Sequence, residues 1–353
     1  MTDTVVVGGG VIGAAVFHAL ARRGDSVTLV ERHRPGLGAT AWSGGIVRVF
    51  HREPELGDRA LEGWRYYRDF ERRTGFRAPF TTSGFLSLLG PEQAADARRE
   101  AGRIAEHAPV RWLEPAELAG RFGPLLRDTA GGAVWEPEAG YLDPADVVRG
   151  WVRAGQREGG TLLAGTRAHG LVRTGGRVTG VLAGHAELRC DVVVLATGPA
   201  TPGLLTDWGI GHELWLQAIQ VDLRRPTVPV TGHPAFTDHL HETNGRPDPD
   251  SGGIYTGHPT GQRPSDEHAG DLDPHCTRRA GQAAARRLSW VPGSLAAGGL
   301  RAAECHAPGE AAAVGPLPGG PENLLLATGF NGGGFKMAPW AAGEIARQVA
   351  RAP

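Results

Sequence analysis

The chain has 353 residues, a formal net charge of -1 and a sequence pI of about 6.9. That balance gives no basic footprint for nucleic acid or for an anionic membrane surface. No apolar run is long enough to cross a bilayer, and at roughly 150 residues per domain the length suits two domains.

Residues 4–8, TVVVG, are a short β-branched run closed by glycine, the pattern of a buried parallel strand. Residues 11–23 place small and apolar residues at helical spacing and end in arginines before Gly24, which predicts a helix with a C-terminal stop. SVTLVE at 26–31 is a second strand, completing a βαβ unit. A long amphipathic helix is predicted over 54–73, a strand over 84–90, and helices over 91–107 and 115–122. Residues 143–160 predict a helix with Asp143 as N-cap and Gly159 beyond its end. A meander of short strands follows from 161, then a buried strand, DVVVLATG, at 191–198. Residues 231–275 are rich in His, Pro, Gly and Asp without a period, and read as loops around a site or as a lid. A helix over 280–291, a strand over 322–329 and a closing helix over 337–351 complete the chain.

Gly8, Gly10 and Gly13 form GxGxxG, with Val11 and Ile12 inside the turn, between the first strand and the first helix. The first glycine permits the turn, the second lets a pyrophosphate approach the backbone, and the third lets helix and strand pack closely. The helix N-terminus offers N–H groups and positive dipole to an anion. Glu31 ends the second strand, roughly 20 residues on, where a carboxylate can hold a ribose. Two more strands end in ATG, at 196–198 and 327–329. Segments this far apart suit an extended FAD better than NAD.

Three cysteines, Cys190, Cys276 and Cys305, form no CxxC pair, and their odd number argues against a disulfide framework. With the glycine motif inside the first residues, no leader is expected, and a reducing, cytoplasmic setting follows. The chain contains a single lysine, Lys336, among many arginines. A compact ammonium and a planar fork are not interchangeable in a tight pocket, so Lys336 marks a candidate site. The six histidines between His233 and His275 match no metal template, and no metal is expected. His239 and His241 would share one face of a strand.

GATAWSGGIVR at 38–48, GYLDPADVV at 140–148, VVVLATGPAT at 192–201 and ATGFNGGGFKMAP at 327–339 join the glycine turn in a wider pattern. With them the chain resembles the D-amino-acid-oxidase superfamily, nearest its sarcosine oxidase and N-methyl amino-acid oxidase branch. The likeness runs end to end and is weakest between about 225 and 300. It implies an α/β fold: a discontinuous, Rossmann-like FAD-binding domain (1–83, 143–210, 304–353) and a smaller α+β substrate domain with a mixed sheet (84–142, 211–303). By resemblance, Gly8, Gly10, Gly13, Glu31 and Arg32 would hold the adenosine and pyrophosphate. Thr40, Ser43 and Gly44 would run along the pyrophosphate and flavin, Ala168 would meet the adenine, and Gly198 would edge the cofactor. Gly332, Gly334 and Phe335 would lie against the flavin ring. Lys336 and Arg48 resemble the family's pair for the substrate carboxylate. Cys305 resembles the cysteine that attaches covalently to the flavin, and attachment stays open.

The chain also departs from that branch. GGIYTGHPTGQ at 252–262 matches a segment that a lysine follows in the family, and here none does. Arg263 or a histidine could substitute. A family tyrosine appears as Thr256 and an aromatic position as His258, which predicts a more polar pocket in which His258 tunes the substrate's protonation. The expected activity is oxidation of a C–N bond in a small carboxylate-bearing amine or imine by hydride transfer to FAD, with oxygen as acceptor, in a monomer. The alternatives are a flavin dehydrogenase with another acceptor and a non-catalytic FAD-binding protein.

Overall fold

The computed structural model describes residues 3–309 and 312–351; the outermost ends of the expected FAD-binding segments lie outside them. Its first layer is a six-stranded sheet. In spatial order the strands are Ala313–Pro316, Leu324–Thr328, Val192–Leu195, Asp3–Val7, Ser26–Glu31 and Thr161–Ala164. All pair in parallel except Ala313–Pro316, which runs antiparallel at the edge. Strand periodicity sorts the apolar residues by face. Val6, Leu29, Val194 and Leu325 pack against the helices Val11–Arg23, Pro144–Arg157 and Gly334–Val349. Val5, Val7, Val30, Val193 and Leu195 face the other way, onto a three-stranded meander drawn from residues 168–189.

The second layer is an eight-stranded sheet in the order Ser294–His306, Trp215–Pro226, Gly253–Gly257, Thr243–Asp248, Ala235–Asp238, Phe85–Leu88, Ala133–Glu136 and Arg111–Leu113. It is mixed: Ala235–Asp238 runs parallel to Phe85–Leu88, and the other pairings are antiparallel. Leu86, Trp135, Phe236 and Ile254 fill one face in a core shared with Leu118 and Phe122 of Pro115–Phe122 and Ala284 of Pro274–Arg287. Arg287, fully buried, donates from Nε to Asp238 at 3.1 Å and ties this helix to the sheet. The opposite face carries Phe85 across from Glu136, and Arg246 across from Tyr255.

Several elements differ from the sequence reading. The helix expected over 54–73 is two, Pro54–Arg68 and Phe70–Thr74, parted at Asp69. The aperiodic stretch 231–275 contains three strands of the eight-stranded sheet, Ala235–Asp238, Thr243–Asp248 and Gly253–Gly257. Their Asn, Gly, Pro and Asp residues read as turns, and sheet neighbours rather than propensity hold them. Strand Ser294–His306 spans the boundary expected at 303/304. His239 and His241 follow Ala235–Asp238 in a turn instead of lying along a strand.

Candidate active site

A cleft of about 580 Å³ opens at the C-terminal ends of the parallel strands, where open α/β sheets bind their ligands. Gly8 leaves its strand at φ +104°, and a Cβ there would sit 2.5 Å from the Ala196 carbonyl oxygen. A Cβ on Gly13 would sit 1.8 Å from the Gly8 carbonyl oxygen. No side chain fits at Gly13 unless strand and helix part. Thr40 accepts from the Val11 N–H at 3.0 Å. Glu31 accepts from the Gly9 N–H at 2.7 Å and the His33 N–H at 2.8 Å, so both its oxygens are fixed at the cleft wall. Arg32 makes two bonds to Glu267, at 2.5 and 2.6 Å, across the cleft mouth. The segment Arg263–Glu267 lines the same cleft, and the Arg263 guanidinium lies 5.1 Å from the Trp215 ring centroid.

At the other end the closing helix points its N-terminus at the cleft, with Gly332, Gly334 and Phe335 in the wall. Three contacts fix this turn. The Tyr67 hydroxyl donates to the Phe335 carbonyl at 2.6 Å, and the two rings stack at 5.1 Å. Gly63 lies under the next residue, and a Cβ there would sit 1.8 Å from the Lys336 carbonyl oxygen. Asn331, at φ +49°, accepts from the Ala307 N–H at 3.1 Å and donates to the Gly309 carbonyl at 2.9 Å, joining the glycine loop to the end of the Cys305 strand. Cys305 is buried in the cleft wall, and burial pushes its thiol pKa up.

Behind Phe335 lies a buried cluster of charges. Lys336 is held down to about 7, first by burial, then by the Arg48 cation, against the opposing pull of Glu304 and Glu136. Arg48 is half-buried, lies 5.1 Å from the Phe85 ring centroid and donates to the Phe50 carbonyl. Glu136, 2% exposed, accepts from the Val49 N–H at 2.6 Å and the Phe50 N–H at 3.2 Å. It thereby fixes the segment that carries Arg48, just past the two-residue strand Ile46–Val47. Burial pushes its carboxyl pKa up, and Arg48 and Lys336 oppose that shift. Two histidines face the same cations. His51 is pushed well down by burial, Arg48 and Lys336, and His239 falls to about 4 through burial and Arg48. Both are neutral at pH 7, so neither adds to the charge that Arg48 and Lys336 present to an incoming anion.

The cleft wall includes Gly8, Gly10, Val11, Ile12, Glu31 and Arg32. It also includes Thr40, Ser43, Ala168, Gly198, Cys305, Gly332, Gly334 and Phe335. Gly13 lies behind the wall as a packing residue, and Gly44 lies just beyond Ser43. Arg48 lies close enough to Lys336 to lower its pKa, and both stand outside the open cleft. His258 is in neither group: its Nδ1 faces the Glu242 carbonyl at 3.2 Å and its Nε2 faces Arg279 at 3.4 Å. Thr256 points at the helix side of its sheet, where Arg224 Nε donates to it at 3.1 Å. The neighbouring Tyr255 takes the opposite face, because side chains alternate along a strand. Neither Thr256 nor His258 lies in the cleft wall, so neither supplies the polarity expected of it there. Sequence reasoning missed Glu136 and His51. The signal for Glu136 was an acid ending the apolar run AVWE; for His51 there was none.

A glycine turn at the strand ends, a long cleft and a second sheet beside it define a dinucleotide-binding protein of two layers. A family model described as FAD dependent oxidoreductase (DAO) matches residues 3–348, and the chain belongs to that family. It is 27% identical to monomeric sarcosine oxidase of Streptomyces avermitilis, over 99% of this chain and 93% of that protein. It is 26% identical to 4-methylaminobutanoate oxidase (formaldehyde-forming) of Paenarthrobacter nicotinovorans, over 98% of this chain but only 43% of that protein's length. L-proline dehydrogenase from P.horikoshii shares the fold with a TM-score of 0.85 at 22% identity, over 100% of this chain and 95% of that one.

Proposed function

We propose that the protein oxidises a C–N bond in a small amine or imine that carries a carboxylate, with FAD as its redox group. The observation that supports this most directly is the pair of cations, half-buried Arg48 and buried Lys336, beside the Phe335 turn at one end of the cofactor cleft. The residues present fit FAD. Gly8 and Gly13 stand where a Cβ would strike backbone, Glu31 presents a carboxylate at the far end, and a helix N-terminus faces the cleft from each side. Bound FAD supplies the two-electron acceptor for hydride leaving the carbon next to nitrogen.

The chain's own residues have three tasks. Arg48 and Lys336 bind the substrate carboxylate and so fix which C–H faces the cleft. The same two cations lower the pKa of the substrate ammonium, favouring the free base whose C–H is the better hydride donor. Neutral His51 and His239 surround the site without adding charge, and His51 Nδ1 lies 3.0 Å from the Val49 carbonyl oxygen. With Nδ1–H donating there, His51 Nε2 is left as a proton acceptor.

The relatives named for methylated amines support this substrate class. Oxygen is the acceptor in this reading, with Arg263, in the cleft wall against Trp215, as the cation that directly follows the segment after which the family branch has a lysine. The lack of a lysine there favours a second reading, a dehydrogenase that passes electrons to another acceptor. Stopped-flow mixing of reduced protein with oxygen separates the two. Cys305 is the thiol that would carry covalent attachment, and flavin left on acid-precipitated protein would report it.

The decisive test is anaerobic. Holoprotein is mixed with N-methyl amino acids, cyclic imino acids and D-amino acids, each beside its counterpart without the carboxylate. Bleaching of the flavin by a carboxylate-bearing member alone is the expected result. No bleaching by any of them would overturn the proposal.

A further inference from the structure

Arg246 has an environment that the reading above leaves unused. On the sheet face away from the helices it stands across from Tyr255. Its guanidinium lies 4.5 Å from the Tyr141 ring centroid and 5.5 Å from that of Tyr255. A Cβ on Gly44 would sit 3.5 Å from Arg246 Nε, so the fork rests on the glycine that follows Ser43 of the cleft wall. Nη1 donates to the Pro247 carbonyl at 2.9 Å, while Nε is buried without a partner. Among the described residues no carboxylate lies within 4.0 Å of the guanidinium. Asp248 acts on both tyrosines and Asp250 on Tyr141, but the Asp248 carboxylate takes the Ser251 hydroxyl at 2.5 Å.

A guanidinium offers five donors in a planar fork. Here two aromatic rings hold the plane, one donor is spent on a carbonyl, and another is desolvated with nothing to meet it. Nη2 has no hydrogen-bond partner among the described residues, and a carboxylate is the ligand whose geometry matches the fork. Gly44 and Arg48 are four residues apart, which is at most about 14 Å of extended chain. Arg246, packed on Gly44, and Arg48 thus border the same short segment, and a series of dicarboxylates of graded chain length sets the span between them.

We infer that Arg246 is a specificity residue for a second carboxylate, at the end of the substrate remote from the Arg48–Lys336 anchor. The preferred substrates are then amino or imino dicarboxylates. This inference rests on the proposed function, and its test can fail separately.

Thioether acids, in which sulfur replaces the amine nitrogen, have no C–N bond to oxidise. Holoprotein is titrated with methylthioacetate and with a series whose second carboxylate lies one, two or three carbons beyond sulfur, following the flavin absorbance. At least one dicarboxylate should bind about tenfold more tightly than methylthioacetate, a gain of about 1.4 kcal/mol. Arg246→Gln should erase that advantage and leave methylthioacetate unchanged, and Arg246→Lys should keep part of it. Equal affinities in the wild type, an equal loss for both ligand classes, or loss of FAD from both variants would overturn the inference while leaving the anchor standing. No spectral response to any of the acids would overturn the anchor as well.

Discussion

The two ends of the cleft are built from different materials. At the adenosine end the contacts come from backbone and from glycines contiguous in sequence, with Glu31 tied to two neighbouring N–H groups. At the substrate end they come from charged side chains on three distant segments, half-buried Arg48 and buried Glu136 and Lys336. The first arrangement fails by steric collision. The second fails by leaving a charge or a carboxylate without its partner, while the rest of the fold stands. Substitutions at the two ends should therefore separate cofactor binding from substrate binding.

The largest effect is expected at the glycine turn. Gly13→Val places carbon where the Gly8 carbonyl stands, so strand and helix must part. Overpacking of this kind costs about 1–3 kcal/mol in stability. The variant should purify colourless and stay so after FAD is added, as its visible spectrum will show. A yellow, FAD-saturated Gly13→Val protein would break the comparison at this end.

Lys336→Met should do the reverse. The flavin should stay bound, while carboxylate ligands weaken by about 2–5 kcal/mol, the usual loss when one partner of a buried charge pair is truncated. Titration of the variant with methylthioacetate, followed by flavin absorbance, measures this. Unchanged affinity would remove Lys336 from the anchor.

Glu136→Gln is expected to act through Arg48. It weakens two bonds to the Val49 and Phe50 amides and removes a carboxylate that helps keep Lys336 charged. Losing the charge from such hydrogen bonds costs about 1–3 kcal/mol in urea unfolding. A purely structural role would leave the pH profile of ligand binding alone. The positioning role predicts that this profile moves to lower pH, because Lys336 loses an anion that raises its pKa.

The smallest effect is expected at Arg32–Glu267, a pair only partly shielded from water, with side chains 36% and 23% exposed. A pair of that exposure is worth no more than about 1 kcal/mol. Glu267→Gln should speed FAD release a fewfold, and added salt should shrink the difference between variant and wild type. FAD fluorescence on dilution reports both.

Legibility in the sequence follows the same division. Gly8, Gly10, Gly13 and Glu31 are readable because their geometry is local: a strand, a turn and a helix within one short stretch. Lys336 is readable for another reason, as the chain's single lysine. The eight-stranded sheet was partly hidden. Thr243–Asp248 reads TNGRPD, a turn by composition, and is a strand because Gly245 lets the Tyr255 carbonyl approach closely. The pocket side of Gly253–Gly257 was misjudged by one residue, and with period-two alternation a slip of one exchanges Thr256 for Tyr255. Glu136 and His51 meet Arg48 only through tertiary packing, which no local pattern announces.

The central claim is that Lys336 and Arg48 hold the substrate's carboxylate. The dissociation constant of methylthioacetate for the holoprotein, measured across pH, tests it most directly. The ligand and Arg48 keep their charge throughout, so Lys336, held down to about 7, sets the profile. An anion binds the protonated lysine better, so affinity is greatest below that pKa and is lost as pH rises through it. The constant should be flat below about pH 7 and climb toward tenfold per pH unit above it, and Lys336→Arg should flatten the climb. A constant that stays level from pH 6 to pH 9 in the wild type would contradict the account.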